Sequence, residues 1–153
     1  MRHIAIALLL GALAACGGRG GDEAATDPAG KAAPEPVRMP LERGYFVRGD
    51  LPCAEPVNDY VILYRGDGVD TERESCAFES VKTLGANRYE VVSVCTAAAG
   101  GGQSAPITET YTVNGPMAYS VMDEEGGEYG ARFCAQAELP EPWRSRDISA
   151  LLK

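Results

Sequence analysis

The chain has 153 residues, with 22 acidic and 14 basic side chains, five cysteines, one histidine and a formal charge of −8. The length fits one domain. The acidic balance excludes a nucleic-acid partner, which needs a basic face to displace counterions from phosphate, and argues equally against a polybasic membrane-surface mode.

The chain opens on Met1-Arg2-His3, a short positive start, followed by an unbroken apolar or small-residue run from Ile4 to Ala15. Twelve such residues fall well short of the roughly 20 that cross a bilayer, so the segment reads as a secretion signal over 1–15. Leu13-Ala14-Ala15-Cys16 then resembles the lipobox of bacterial lipoproteins, a likeness that covers the leader alone. Small residues before the cysteine give a peptidase access, and the thiol takes up a diacylglycerol as a thioether. The resemblance implies cleavage between Ala15 and Cys16 and acylation of Cys16, so that the bilayer itself is a partner. One acyl chain is a marginal anchor and two or more are stable. Gly17 in place of an acidic residue after Cys16 points to the outer membrane of the cell envelope, facing the periplasm or the surface.

Residues 16–36 form the expected lipidated terminus and linker. From Gly17 to Pro36 there is no Val, Ile, Leu, Met or aromatic side chain. Such a stretch buries too little to offset its ordering entropy, and as a coil its root-mean-square reach is about 25 Å. The remaining 37–153 is the expected folded domain. Its pattern is β-rich runs punctuated by Gly, Pro, Asn and Asp. Strands are predicted at Gly44–Arg48, Tyr60–Arg65, Glu74–Thr83, Arg88–Thr96, Ile107–Val113, Met117–Met122 and Glu128–Cys134. Leu84 to Asn87 reads as a hairpin turn around Gly85-Ala86, and Asn114-Gly115 as a two-residue turn. That second turn places Tyr111 opposite Ala118. It gives one face Ile107, Tyr111, Val113, Ala118 and Met122, joined by Tyr129, Ala131 and Phe133, and turns Tyr119 to the other face. In the 88–96 strand, Tyr89/Val91 and Val92/Val94 compete for the inner side. After the Pro-punctuated Leu139–Arg144, a short helix is predicted over Ser145–Leu152 with Ser145 as N-cap, packed through Trp143, Ile148, Leu151 and Leu152. The expected fold is all-β: an antiparallel meander of about seven or eight strands, closed as a barrel or stacked as a sandwich, with that helix and two disulfides.

With Cys16 set aside for lipid, Cys53, Cys76, Cys95 and Cys134 remain, an even set in an exported domain. The Gly85-Ala86 turn places Cys76 directly opposite Cys95, which leaves Cys53 for Cys134. A bridge closing a loop that long contributes about 4–5 kcal/mol in the chain-entropy model. Spacings of 23, 19 and 39 residues are not those of a zinc site, which uses close Cys pairs. His3 is the only histidine and leaves with the leader, removing His-dependent catalysis and His-ligated metals. No catalytic, metal or cofactor residue is assigned, and no cofactor is expected.

Weaker signals have structural readings. Asp123-Glu124-Glu125 around Gly126-Gly127 is a solvated hairpin tip. Asp67–Glu72 does not follow the EF-hand spacing, and turn chemistry explains it. Arg48-Gly49-Asp50 and Arg65-Gly66-Asp67 are RGD tripeptides at strand ends. Ala97–Ala105 is a Gly/Ala-rich loop, either an insertion or a binding loop. The tyrosines at strand positions are packing residues.

Two further resemblances concern the domain. A small disulfide-bonded β-domain on a tether is similar in architecture to membrane-bound lysozyme inhibitors, although their Ser-Gly-rich inhibitory motif has no good counterpart here. The order from Gly44-Tyr45 through the four cysteines and Gly85-Ala86-Asn87-Arg88-Tyr89 to Leu139-Pro140-Glu141-Pro142-Trp143-Arg144 resembles small uncharacterised lipoproteins of Gram-negative bacteria. The expected function is therefore a membrane-anchored, non-catalytic binding or inhibitor module with a protein or cell-wall partner. The alternatives are a structural or assembly accessory of the outer membrane, and a carboxylate-dependent enzyme. The enzyme reading requires a concave pocket with two carboxylates, one of them with a raised pKa.

Overall fold

The computed structural model describes residues 38–152. The expected signal peptide, the lipidated Cys16 and the linker lie outside them. Eight strands in chain order pair antiparallel with their neighbours and close into a barrel: β1 Gly44–Arg48, β2 Val61–Tyr64, β3 Gly68–Asp70, β4 Glu74–Thr83, β5 Arg88–Ala97, β6 Ile107–Val113, β7 Ala118–Met122 and β8 Glu128–Cys134. Closure is made by β1 against β8, with Tyr45 opposite Cys134 and Arg48 opposite Ala131. The barrel form settles the choice against a sandwich, and closure leaves no edge strand exposed.

The strand that sequence patterning misses is β3. It has three residues, two of them the poor strand formers Gly68 and Asp70. Its pairing explains it: Val69 lies opposite Cys76, and Gly68, with no side chain, lies close against the Cys76 backbone that also accepts a hydrogen bond from Arg65 Nη2 at 3.1 Å.

The two long hairpins differ from the expected registers. In β4–β5, Thr83 pairs with Tyr89, one residue off the Gly85-Ala86 register, and Leu84 N–H donates to Arg88 O. Glu79 then bulges between Phe78 and Ser80 and restores the offset, so Cys76 does meet Cys95. Tyr89, Val91, Ser93 and Cys95 point inward. In β6–β7 the expected two-residue turn is instead a four-residue connection, 114–117, across which Asn114 N–H donates to Ala118 O and Gly115 takes φ 81°. Tyr111 therefore faces Val121 and Val113 faces Tyr119. The slip is an odd number of residues, so it exchanges the faces of β7. Tyr119 and Val121 are buried inside, while Met122 is exposed and Ala118 half-exposed. The inner assignments of Tyr111, Val113, Tyr129, Ala131 and Phe133 stand.

Two apolar cores result. The inner one fills the barrel with Phe46, Ile62, Tyr64, Val91, Tyr111, Tyr119 and Val121, and Met39 and Leu41 close its lower end. The other lies outside the β1–β2–β8 wall, where Tyr45, Val47, Val61 and Leu63 are covered by Leu139, Ile148 and Trp143. The nearly continuous apolar run of β2 reflects this burial on both faces.

The expected C-terminal helix is not formed; residues 143–152 are turns with an irregular stretch at 146–148. Ser145 Oγ donates to Glu141 Oε2 at 2.6 Å instead of capping a helix, and Asp147 Oδ1 accepts from Ser149 N–H at 3.0 Å. So short a segment does not sustain a helix alone, and docking of Ile148, Leu151, Leu152 and Trp143 fixes its path. The side chains expected to pack do pack, without the helix. Both disulfides form: Cys76–Cys95, and Cys53–Cys134 with a Cα–Cα distance of 5.7 Å.

Candidate functional site

The barrel is asymmetric along its axis. Its lower end is an aromatic plug. Phe46 meets Tyr119, Phe133 and Tyr64 at centroid distances of 5.1, 5.6 and 6.4 Å, and Phe78 bridges Tyr64 and Tyr111. Gly44, with φ 141°, lies directly beneath the Phe133 ring, where a β-carbon would collide with it.

Towards the opposite end the plug gives way to a chamber of about 180 Å³. The inward alternation of each strand supplies its lining. On β1, Gly44, Phe46 and Arg48 point in; on β6, Glu109, Tyr111 and Val113; on β8, Tyr129, Ala131 and Phe133. Thus Arg48, Glu109 and Tyr129 stand one step above the plug. Ile62, Val69 and the Cys76–Cys95 disulfide form an apolar wall.

The Arg48 guanidinium carbon lies 3.6 Å from the Tyr129 ring centroid and 5.4 Å from that of Tyr60. This is cation–π geometry, which fixes the guanidinium plane and leaves its N–H edge for other acceptors. Across the chamber, Glu109 accepts one long hydrogen bond, 3.4 Å, from the Tyr111 hydroxyl. Burial pushes the Glu109 carboxyl above its ordinary range, with the Tyr111 bond and Arg48 acting in the opposite direction. Desolvation also raises the phenols: Tyr111 and Tyr119 go well above 10, and Tyr129 is pushed up to about 12. All three are therefore neutral donors at physiological pH. At the rim, Arg73 Nε donates to Asp59 Oδ1 at 2.8 Å, and this ion pair occupies Asp59.

The Glu74 carboxylate and the sulfurs of Cys76 and Cys95 lie within 4.8 Å of one another. The disulfide engages both sulfurs, so neither is a thiolate able to coordinate a metal.

Sequence reasoning placed the cysteines and the packing tyrosines but not the chamber's charged residues. The sequence gives Arg48 as the end of the first strand and the start of an RGD tripeptide; it points into the barrel, so that tripeptide is not displayed as a unit. Arg65 of the second RGD is bound to Cys76 O and lies 3.6 Å from Asp70. The Ala97–Ala105 loop does not line the chamber. It folds back on β5, where Thr96 bridges Gln103 and Ser104 exchanges hydrogen bonds with Cys95. The Asp123 tip is an Asx-type turn, with Asp123 Oδ1 accepting from Glu125 and Gly127 N–H at 3.0 and 2.7 Å. One signal for the chamber was present: Ile107-Glu109-Tyr111-Val113 carries a single carboxylate in an otherwise apolar row.

Compared with models of known families, with curated proteins and with solved structures, the chain matches none.

Proposed function

We propose that this protein is a lipid-anchored component of a bacterial cell envelope whose β-barrel is a non-catalytic binding module, with the chamber as its recognition site. The lipobox-like Leu13–Cys16 supports the anchor, and the two disulfides agree with an oxidising compartment. The observation that carries the binding reading is the opposition of Arg48 and Glu109 in a concave, mostly aromatic and apolar site, the general form of a small-ligand pocket. Two measurements test it. Replacing Cys16 by Ser should move the protein from the membrane fraction to the soluble fraction; unchanged partitioning refutes the anchor. Titration of envelope fragments should shift the ring resonances of Tyr119 and Tyr129; shifts confined to the outer surface refute the chamber.

One observation favours a second reading. Glu109 is the raised carboxyl in a concave site that a carboxylate enzyme requires, with Asp59 and Glu74 on the same lining. The binding reading is preferred because Asp59 is engaged by Arg73 and Glu74 is exposed, so neither stands as a poised base beside Glu109. Product formation from peptidoglycan oligosaccharides that is abolished by Glu109→Gln would establish the enzyme. Binding without turnover supports the module.

A further inference from the structure

Two opposite charges line one chamber without meeting. Among the described residues, no carboxylate lies within 4.0 Å of the Arg48 guanidinium, and Glu109 forms no ion pair. Each is held by neutral aromatic groups: Arg48 by the faces of Tyr129 and Tyr60, Glu109 by the Tyr111 hydroxyl. Half-buried charges lacking counterions are costly unless something completes them. The barrel ladders already use the backbone donors and acceptors of its walls, so recognition inside falls to side chains.

We infer that the chamber binds a zwitterion of amino-acid size, its carboxylate on the Arg48 edge and its ammonium on Glu109. The inference rests on the chamber being the recognition site. A lone cation would satisfy Glu109 but be repelled by Arg48. A lone anion would satisfy Arg48 but meet Glu109, with Glu74 and Asp59 beyond it at the rim. A molecule carrying both charges completes both groups and adds no net charge to an acidic site. The volume of about 180 Å³ equals roughly six waters' share of the liquid, the scale of a small amino acid. Ile62, Val69 and the disulfide offer its side chain an apolar wall, so a short aliphatic residue fits best.

The test uses the full chain in detergent, with calorimetry and the Tyr119 and Tyr129 ring resonances as readouts. The probes are L-valine, D-valine, N-acetylvaline, valine amide, propionate, propylamine and chitobiose. Either valine enantiomer should bind, with N-acetylvaline and valine amide each weaker by about tenfold or more, the scale of one lost charge-assisted contact. Glu109→Gln should weaken valine by about tenfold while leaving propionate unchanged or improved, and Arg48→Gln should do the reverse with propylamine. Retention of both disulfides and of the Phe46–Tyr119 ring contacts verifies that each variant is folded; should either fail to fold, the N-acetyl and amide comparison on the unaltered chain decides alone. Equal affinity for valine, N-acetylvaline and propionate overturns the zwitterion. Chitobiose shifting the chamber resonances while valine does not overturns it and leaves the chamber standing as a recognition site. No shift from any probe overturns both.

Discussion

Glu109 occupies a position where the alternation of β6 calls for an apolar side chain, and this conflict with local pattern has a measurable consequence. Its carboxyl holds a proton more tightly in the folded chain than in the unfolded one. Its contribution to stability is therefore complete below the ordinary carboxylate range near 4.5 and is lost as the pH rises through the raised folded value. At neutral pH the ionised group burdens the fold. Glu109→Gln is expected to melt higher than the unaltered protein at pH 7, with the difference closing near pH 4; a lower melting temperature at pH 7 contradicts this reading. The same sign governs Tyr111 and Tyr119, whose ionisation above pH 10 costs stability. Only part of this was legible in the sequence. The odd carboxylate in the β6 row was visible. That it faces Arg48 was not, because β1 and β6 meet only across a closed barrel.

Among the elements, hairpin registers were the least legible feature, since turn residues name a turn without fixing the length of its loop. The Cys76–Cys95 pairing was reached from a two-residue turn that the structure does not contain. The actual turn is one residue longer, and the Glu79 bulge compensates. Deleting Glu79 should remove the bulge and join Phe78, opposite Ser93, directly to Ser80, opposite Val92, so that Cys76 stays opposite Cys95 and the bridge is intact on mass mapping; two free thiols would show that Glu79 is not the inserted residue. For β6–β7 nothing compensated, and the faces of β7 were exchanged. The C-terminal segment teaches a related lesson. Its apolar positions were legible because burial demands them, whereas its conformation was set by the outer wall of β1, β2 and β8. Leu139 is fully buried there. Leu139→Ala should cost about 2–5 kcal/mol, read from the denaturant midpoint at unchanged slope, whereas an exposed loop position would cost almost nothing.

At the scale of the molecule, charge follows the barrel axis. The loops around the mouth carry Asp50, Asp59, Glu72, Asp123, Glu124 and Glu125 against Arg73, whereas the plugged end mixes Arg38, Arg43, Lys82 and Arg88 with Glu42, Asp67 and Glu90. Like charges crowded at the mouth repel, and salt screens them over a Debye length of about 8–10 Å. Raising sodium chloride from about 0.05 to 0.5 M should therefore raise the melting temperature, and a Glu124→Gln/Glu125→Gln double variant should gain less; an equal gain would place the repulsion elsewhere. All-β class and meander order are legible because they depend on short-range patterning, whereas the Cys53–Cys134 bridge, 81 residues apart, follows only by elimination. Closure, the missed β3 and the division into plug and chamber emerge only when the strands assemble.

The axial arrangement also bears on how the barrel carries force. The described chain enters at the plugged end, where Met39 and Leu41 seal the inner core before β1 begins, and the mouth lies at the far end of that strand. A protein gripped at the mouth and pulled from its N-terminal side would be loaded along the length of β1. That direction shears its ladders with β2 and β8 together, so their hydrogen bonds share the load instead of opening one by one. The Cys53–Cys134 bridge then passes tension covalently from the chain just after β1 to the end of β8. The wall that an N-terminal attachment would strain first is thus the wall the fold has cross-linked.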